Sequence, residues 1–297
     1  MSDSLAIHTS SLTKSYGQFL AVDSLNLIVP KNSITAFLGP NGAGKSTTIK
    51  MLLGMIRPTS GDAAVLGHTI SILNESSRLR ERIAYVAEDK PLYGYMTVEQ
   101  IVRFTSRFYG DWRPDEAQRL LAEYRLPAKE KVRSLSKGMR TKLALLLAFA
   151  RRPELLILDE PSEGLDPIGI EELLLALVSQ AAAGVTVFFS SHQLAEVERV
   201  ADHVCILNHG RLQLSAPIDD LRQSYRRIDF VFEAVPSERE LVVPGIQRIR
   251  SSGHQVSVLT SRNADEVIRR ARDLSVVSVE VSPVPLREIF LETVREN

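Results

Sequence analysis

Cysteine is nearly absent from the chain, since Cys205 is the only one among 297 residues. A single thiol excludes an internal disulfide framework and a cysteine-rich zinc site, and it fits a reducing compartment. The N-terminus has no basic stretch followed by an apolar run, so we expect no secretory signal. Long apolar segments are missing too: the longest, residues 143–150, falls far below the ~18 residues that span a bilayer. We therefore expect a cytoplasmic protein that reaches a membrane only through a partner.

The chain also lacks net charge, because Lys plus Arg and Asp plus Glu both total 36. Without a global field to attract polyanions, we expect no direct binding of nucleic acid. The remaining composition, 44% hydrophobic and 24% charged, is that of a globular protein and argues against a disordered chain. At roughly 100 to 200 residues per domain, the length predicts one large domain and one small one.

A glycine-rich run follows a short apolar segment, Ile34–Leu38, that is typical of a buried strand. The run matches the phosphate-loop pattern G-x-x-x-x-G-K-[ST], in which glycines let successive backbone N–H groups close around phosphate oxygens. Lys45 is placed to reach the β- and γ-phosphates of ATP, and the Ser46 hydroxyl to bind Mg²⁺. A chance glycine-rich turn is the alternative, but the preceding strand and the helix predicted over 45–53 favour nucleotide binding. The predicted nucleotide-binding residues of this loop are Gly39, Pro40, Asn41, Gly42, Ala43, Gly44, Lys45, Ser46 and Thr47.

Two carboxylates follow a second apolar run, residues 155–158. Asp159 and Glu160 would lie at the C-terminal end of a buried strand, where α/β sheets build their ligand sites. Asp159 is predicted to hold Mg²⁺, and Glu160 to orient and deprotonate the attacking water. An acidic pair after a strand is otherwise a solvated loop, and the upstream phosphate loop favours the catalytic interpretation.

The pattern of elements along the chain is that of an α/β protein. Apolar runs at 155–158 and 185–189 are typical of strands in a parallel sheet. Before them, capping-box spacing at Thr97 and helical patterns predict a helical subdomain inserted at about 90–150. After a large domain of residues 1–225, short alternating runs and helical patterns predict a small C-terminal α+β accessory domain, 226–297. Structural support is the default role of that small domain.

With these motifs in place, about residues 5–220 resemble the ATP-binding subunits of ABC transporters, most of all those serving ABC-2 type permeases. The resemblance implies a P-loop NTPase core of the ABC ATPase kind. Residues 135–139, Leu-Ser-Lys-Gly-Met, lie where the family has its LSGGQ signature, and Lys137 and Met139 depart from it. Since Ser136 and Gly138 are kept, the resemblance implies that they contact the γ-phosphate of a nucleotide held by a second subunit. By itself, Leu-Ser-x-Gly is more often a plain helix start.

Three further residues gain roles through the resemblance. His192, after the predicted strand 185–189, corresponds to the family's switch histidine, which hydrogen-bonds the γ-phosphate and pairs with Glu160. Asp166 lies in the loop through which two subunits communicate across the dimer. Tyr16 matches the aromatic residue that stacks on adenine. Each has an ordinary alternative, namely a surface or core histidine, a simple turn and a surface tyrosine.

Glu88 is the most consequential departure from the family pattern. It ends a segment, 83–88, that aligns with the family segment ending in a glutamine, which touches Mg²⁺ and senses the membrane partner. A carboxylate can still ligate Mg²⁺, because a hard cation prefers charged oxygen. We therefore predict that Glu88 keeps the metal-sensing role, with Ser46 and Asp159 as the other metal ligands.

Taken together, these residues and the resemblance predict an ATPase that uses ATP and Mg²⁺ and pairs with a second ATP-binding subunit, as a homodimer or heterodimer. It would drive separate transmembrane permease subunits from the cytoplasmic face of the cell membrane, with export as the expected direction. Two other classes stay open, a soluble ABC ATPase of translation or DNA maintenance and a small-molecule kinase. The first kind usually fuses two cassettes or inserts a long coiled coil, and the second needs neither a signature helix nor His192.

Overall fold

The computed structural model describes residues 4–70 and 77–295. The chain divides into two compact units, Met1–Ser215 and Ala216–Asn297. The division falls before the predicted boundary at residue 225, because residues 216–225 cluster with the second unit. No helix within the described ranges combines the length and the apolar composition that crossing a bilayer requires.

The strands of the first unit are β1 Leu5–Tyr16, β2 Phe19–Leu25, β3 Ile28–Pro30, β4 Ile34–Leu38, β5 Ser60–Val65, β6 His68–Thr69, β7 Ile83–Val86, β8 Leu155–Asp159, β9 Thr186–Ser191, β10 His203–Asn208 and β11 Arg211–Pro217. Its helices are α1 Lys45–Leu52, α2 Ser77–Arg82, α3 Val98–Ser106, α4 Pro114–Glu123, α5 Lys137–Phe149, α6 Pro167–Ala182 and α7 Leu194–Val200. Helices separate β4, β7, β8, β9 and β10 along the chain, as expected for an α/β protein.

The main sheet of this unit has the strand order β11-β10-β4-β9-β8-β7, and the pairs from β10 to β7 are parallel. Every residue of β4, β8 and β9 is buried. Such burial requires continuous apolar sequence rather than alternation, because both faces of the strand are covered. The strands predicted at Ile34–Leu38, 155–158 and 185–189 are therefore confirmed, and the last two extend into polar residues at their C-terminal ends.

A second, antiparallel sheet, which the sequence analysis did not predict, has the order β2-β1-β5-β6, with β3 also paired to β1. Its inner face and the inner face of the main sheet enclose α1 in one hydrophobic cluster. Buried members of that cluster include Ile7, Leu12, Leu25, Phe37, Ile49, Val65, Ile157 and Phe188. The core therefore holds the strand before the phosphate loop and the helix after it in fixed positions.

The helical subdomain predicted at about 90–150 consists of α3, α4 and α5. Thr97 begins α3 through a capping box: its hydroxyl accepts from the Gln100 N–H at 3.2 Å, and the Gln100 side chain accepts from the Thr97 N–H at 2.9 Å. Helical patterning in the sequence extends over 114–126, whereas α4 ends at Glu123. The predicted helix start at residue 136 is confirmed, because Ser136 is the N-cap of α5.

The second unit contains a short leading helix and a four-stranded antiparallel sheet, in the order β13-β14-β12-β15. Its elements are α8 Ile218–Ser224, β12 Arg226–Phe232, α9 Glu238–Leu241, β13 Ile246–Ser252, β14 Gln255–Thr260, α10 Ala264–Asp273, β15 Val276–Pro283 and α11 Leu286–Arg295. From β12 to β15, the order of elements and strands is the β-α-β-β-α-β arrangement of ferredoxin-like folds. Phe230 and Phe232 of β12 lie in its core with Val267 of α10.

Candidate nucleotide-binding site

The ends of three neighbouring strands bring the predicted catalytic residues together. In the main sheet β9 lies between β4 and β8, and the register pairs Leu38 with Ser191 and Asp159 with Ser190. Parallel strands end at the same edge of a sheet, which is where α/β proteins bind ligands. The phosphate loop after β4, the acidic pair in and after β8 and His192 after β9 therefore meet at one edge.

Two glycines of the phosphate loop are fixed by close backbone packing. A Cβ at Gly44 would lie 2.4 Å from the carbonyl oxygen of Ala21, and one at Gly39 would lie 2.4 Å from that of Leu207. Gly44 also has a φ of 106°, in the left-handed region that favours glycine. It is the N-cap of α1, so the unpaired N–H groups of the first helical turn adjoin the loop. These groups and the helix dipole favour an anion at this position.

Lys45, Glu160 and His192 form a continuous series of polar contacts. The Lys45 ammonium donates to the Gly39 carbonyl oxygen at 2.8 Å and lies 3.4 Å from Glu160 Oε1. The other carboxylate oxygen, Oε2, is 2.8 Å from His192 Nδ1. Lys45 and Glu160 are each 7% exposed, whereas the imidazole is half-exposed. Glu160 is thus held by a cation on one side and an imidazole on the other, as a positioned general base requires.

Ser190 fixes both members of the acidic pair, and the sequence analysis did not predict it as a site residue. Its hydroxyl donates to Asp159 Oδ1 at 2.6 Å and accepts from the Glu160 N–H at 3.0 Å. Glu160 has a φ of 46°, a left-handed conformation that costs a residue with a side chain of order 1–3 kcal/mol and is concentrated at functional sites. The tight turn directs the two carboxylates into different parts of the site.

The predicted metal ligands Ser46, Asp159 and Glu88 line one depression of about 730 Å³ beside the phosphate loop. Within the part of the chain that the structure describes, no three histidine, cysteine or carboxylate side chains converge on a common metal position. Mg²⁺ needs no such cluster, because it is usually bound by one or two carboxylates together with phosphate oxygens. A hydroxyl and two carboxylates are hard oxygen donors, so the residues present fit Mg²⁺.

Glu88 lies in a strongly acidic environment. Burial raises the pKa of its carboxyl group, and the nearby charges of Asp159 and Glu163 raise it further. Glu163 lines the same depression, and a hydrogen bond from Lys137 holds the pKa of its carboxyl group below its usual range. The depression therefore gathers negative charge that a bound cation would neutralise.

A neighbouring cleft of about 570 Å³ contains most of the predicted nucleotide-binding residues. It is lined by loop residues 40–47 together with Glu88, Glu160 and His192. Gly39 supports the cleft from behind, through its contact with Lys45. The structure thus places the phosphate loop, the candidate base and the histidine around one concave site.

Phe19 also lines this cleft, whereas Tyr16 does not. The two residues are paired across the β1–β2 hairpin, so their rings lie on the same face of it. Both are exposed, Phe19 by 64% and Tyr16 by 51%, and the Lys14 ammonium lies 5.0 Å from the centre of the Tyr16 ring. Two aromatic residues flanking a two-residue turn were the signal that could have identified Phe19.

We expect Tyr16→Ala and Phe19→Ala each to weaken ATP binding, because both rings can offer adenine a stacking surface. Stacking on an aromatic side chain is worth about 1–3 kcal/mol per base. Calorimetric titration with ATP and with inorganic tripolyphosphate separates this contact from the phosphate contacts. The affinity for tripolyphosphate should be unchanged, and a loss that is equal for both ligands would contradict adenine stacking.

Ser136, Gly138 and Asp166 do not line the cleft. Within the chain, two of them are helix N-caps: Ser136 Oγ accepts from the Met139 N–H at 3.2 Å, and Asp166 Oδ1 accepts from the Gly169 N–H at 2.7 Å. The first caps α5 and the second caps α6. Their contact with a nucleotide on a second subunit stays a prediction, and the structure shows what holds them in place on their own chain.

The chemistry that fits this edge of the sheet is transfer of a phosphoryl group from a nucleoside triphosphate to water. Lys45 and the N-terminus of α1 supply positive charge for the phosphates, and Glu160 is a buried carboxylate within 3.4 Å of that lysine. A strand, phosphate loop and helix in this order, beside a strand that ends in two acids, define the class of P-loop ATPases.

Comparison with known proteins narrows this class. The family model described as ABC transporter matches residues 22–163. A bacitracin transport ATP-binding protein from Bacillus licheniformis is 38% identical over 227 residues, which cover 75% of this chain and 74% of that protein. The Nod factor export ATP-binding protein I of Neorhizobium galegae is 34% identical over 297 residues, which cover 97% of this chain and 84% of that protein.

A solved structure of an ATP binding subunit of an ABC transporter has the same fold, with a TM-score of 0.66 at 33% identity over 73% of this chain and 92% of that one. The chain belongs to the family of ABC transporter ATP-binding proteins. It is an ATP-binding and ATP-hydrolysing subunit of such a transporter.

Proposed function

We propose that the chain works as one half of an ATP-driven dimer, in which each nucleotide is enclosed by the phosphate loop of one subunit and the α5 N-terminus of the other. The proposal rests on the observation that the predicted site residues of one chain lie in two separate places. Lys45, Glu160 and His192 share one cleft, whereas Ser136 and Gly138 of the same chain lie outside it. A second ATP-binding subunit, identical or homologous, supplies its own Ser136 and Gly138 segment to close the site.

Hydrolysis in this arrangement proceeds by direct attack of water on the γ-phosphorus. Glu160 accepts a proton from the water as its oxygen bonds to phosphorus, and the bond to the β–γ bridging oxygen breaks to release ADP and inorganic phosphate. With His192 Nδ1 engaged by Glu160, its other ring nitrogen is available to the γ-phosphate. Lys45 and the helix N-terminus neutralise charge on the phosphate oxygens.

Mg²⁺ is proposed to be held by Ser46, Asp159 and Glu88, which line the same depression. The ion would supply charge neutralisation for the phosphates. The Ser190 hydroxyl donates to Asp159 at 2.6 Å and so fixes the direction of this carboxylate. Glu88 comes from the end of β7, so it joins the site to the segment that leads into the helical subdomain.

Glu88→Ala is expected to raise the Mg²⁺ concentration that half-saturates the ATPase by about tenfold, since it removes an oxygen ligand or its close neighbour. Glu88→Gln should lie between the variant and the parent because it keeps a carbonyl oxygen. Glu81→Ala, at an exposed carboxylate that does not line the depression, is the matched control. A Glu88→Ala titration that superimposes on that of the parent would remove Glu88 from the metal site.

The partner in the membrane is proposed to dock beside this segment, on four exposed aromatic residues. Tyr93, Tyr95, Phe104 and Phe108 form the aromatic patch, in which successive ring centres are 5.0–5.8 Å apart. An exposed apolar patch of this kind marks a contact surface for another protein. Docking there would place the chain on the cytoplasmic face of the membrane and connect the permease to Glu88 through the start of the helical subdomain.

The names of two similar proteins, for bacitracin transport and for Nod factor export, support transport as the output, and we propose export as its direction. Affinity purification from detergent-solubilised membranes tests the proposal. Recovery of a polytopic membrane protein that stimulates phosphate release is the expected result. Recovery of ribosomes or DNA, or transfer of phosphate to an acceptor other than water, would overturn it.

A further inference from the structure

Lys137, one of the two residues that depart from the family signature, is in contact with the loop that precedes α6. Its ammonium lies 2.5 Å from Glu163 Oε1. Its aliphatic stem crosses Gly164 so closely that a Cβ at that glycine would lie 2.6 Å from Lys137 Cδ. Gly164 also has a φ of +81°, so a residue with a side chain would be strained there and would displace the lysine stem. The Lys137 stem therefore packs directly on the backbone of Gly164.

The contact continues along α5. A Cβ at Gly138 would lie 3.2 Å from the Gly164 carbonyl oxygen, which shows how closely the start of the helix approaches the loop. Further along, the Lys142 ammonium lies 2.7 Å from Glu172 Oε2 of α6 and 5.8 Å from the centre of the Tyr124 ring. Two lysines of α5 are thus paired with two acids, one before α6 and one within it.

From these contacts we infer that Lys137 is a positioning residue for the composite ATPase site. It clamps the loop 163–166 to the N-terminus of α5, so that the signature segment and the loop meet the partner subunit as one rigid surface. The inference rests on the proposed dimer. It adds the residue that aligns the signature segment and loop 163–166 of one subunit with the nucleotide on the other. Lys137 and Glu163 both line the depression of the predicted metal ligands, so the clamp borders the metal end of the site as well.

The Lys137–Glu163 ion pair is expected to affect the position of the loop rather than the folding stability of the chain. Lys137 and Glu163 have side chains that are 57% and 38% exposed. An exposed ion pair contributes at most a small share of folding stability, because solvent screens it. Loss of the ion pair should leave the melting temperature and the binding of ATP to the single chain unchanged. The surface that the signature segment and loop 163–166 present to the partner subunit should become less well ordered.

The test is a double-mutant cycle of Lys137→Met and Glu163→Gln. Methionine keeps the stem that packs on Gly164 and removes only the ammonium. Each single variant is expected to lower kcat by about fivefold, the upper range for an exposed pair, with the KM for ATP nearly unchanged. The double variant should lose no more than either single one, because both remove the same interaction. Lys137→Arg should restore most of the rate.

The matched control is Arg199→Met, which breaks the exposed ion pair of Arg199 with Glu171 of α6 and should leave kcat unchanged. ATP-induced dimerisation of the parent, measured by light scattering, separates two kinds of failure. A parent that hydrolyses ATP without dimerising would refute the proposed dimer. A dimerising parent with unaltered Lys137→Met, or losses that add in the double variant, would refute the clamp, since additivity means that Lys137 acts on something other than Glu163.

Discussion

Glu160→Gln should bind ATP as the parent does and release phosphate about 10² to 10⁴ times more slowly, the range expected for loss of a general base. The substitution keeps the shape of the side chain and removes its ability to accept a proton. The amide can still face both neighbours, since the carboxylate it replaces lies between Lys45 and His192 at 3.4 and 2.8 Å. Binding therefore survives and proton transfer fails.

A second consequence follows from the shared site. If ATP joins two subunits and hydrolysis separates them, then the variant that cannot hydrolyse should accumulate as an ATP-bound dimer. Size exclusion with light scattering in the presence of ATP and Mg²⁺ measures this directly. The matched control is Glu171→Gln, at an exposed acid of α6 that does not line the cleft, for which no loss is expected. A strictly monomeric Glu160→Gln profile, or a rate equal to that of the parent, would contradict the assignment.

Lys45→Met is expected to lower kcat by about 10² to 10³ or more, comparable to removing one fixed donor from a charge-stabilising site, and to weaken ATP binding as well. The lysine is 7% exposed and contacts both the Gly39 carbonyl and Glu160. Methionine fills similar volume, so the loop keeps its shape. The variant nevertheless leaves Glu160 without its neighbouring cation and the phosphates without theirs.

Lys129→Met is the control for this prediction, because the Lys129 side chain is exposed and does not line the cleft or the depression. Calorimetry with ATP and a phosphate-release assay supply the two readouts, and a melting curve shows whether the variant is folded. A Lys45→Met chain that is folded and hydrolyses ATP at the parental rate would exclude the phosphate loop from catalysis.

The parallel sheet could be predicted from sequence because strands that are buried on both faces have continuous apolar sequences. The residues of β4 and β8 are apolar up to the point where the chain turns polar at the site, so strand, strand end and catalytic residue were visible together. The order of motifs then placed Glu160 and His192 with the phosphate loop, since parallel strands end at a common edge.

The sequence pattern of the antiparallel sheet is weaker. β1 is long and polar at many positions, and its pairing with β2 and β5 is interrupted by register shifts that break the alternation of apolar residues. In the second unit, β13 was missed for a related reason. Its Arg248 is paired with Glu288 and Glu292 of α11, so a position that packs against a helix carries a charged residue.

Within the site, the sequence indicated which residues take part but not how they are oriented. The hydroxyl of Ser190, which bridges the acidic pair, and the left-handed backbone of Glu160 are set by the turn at the end of β8. Phe19 enters the cleft because a two-residue turn pairs it with Tyr16. Lys137 meets Glu163 across a distance of 26 residues in sequence, a contact that depends on the packing of α5 beside the loop.

The central claim, that one catalytic site is built from two chains, is tested most directly by mixing two inactive variants. Lys45→Met lacks the phosphate-loop cation and keeps its signature segment. Ser136→Asp keeps the helix cap, because Asp and Ser cap equally well, and places a negative charge where the partner's triphosphate should arrive. Ser136→Asn, which caps without charge, is its control.

Each variant alone should be inactive, and the mixture should not be. Random pairing at equal amounts makes about half of the dimers mixed, and each mixed dimer holds one intact site, so the mixture is expected to regain about a quarter of the parental rate of phosphate release. A mixture as inactive as its components, although light scattering shows that they associate, would contradict the shared site, and so would a fully active Ser136→Asp chain.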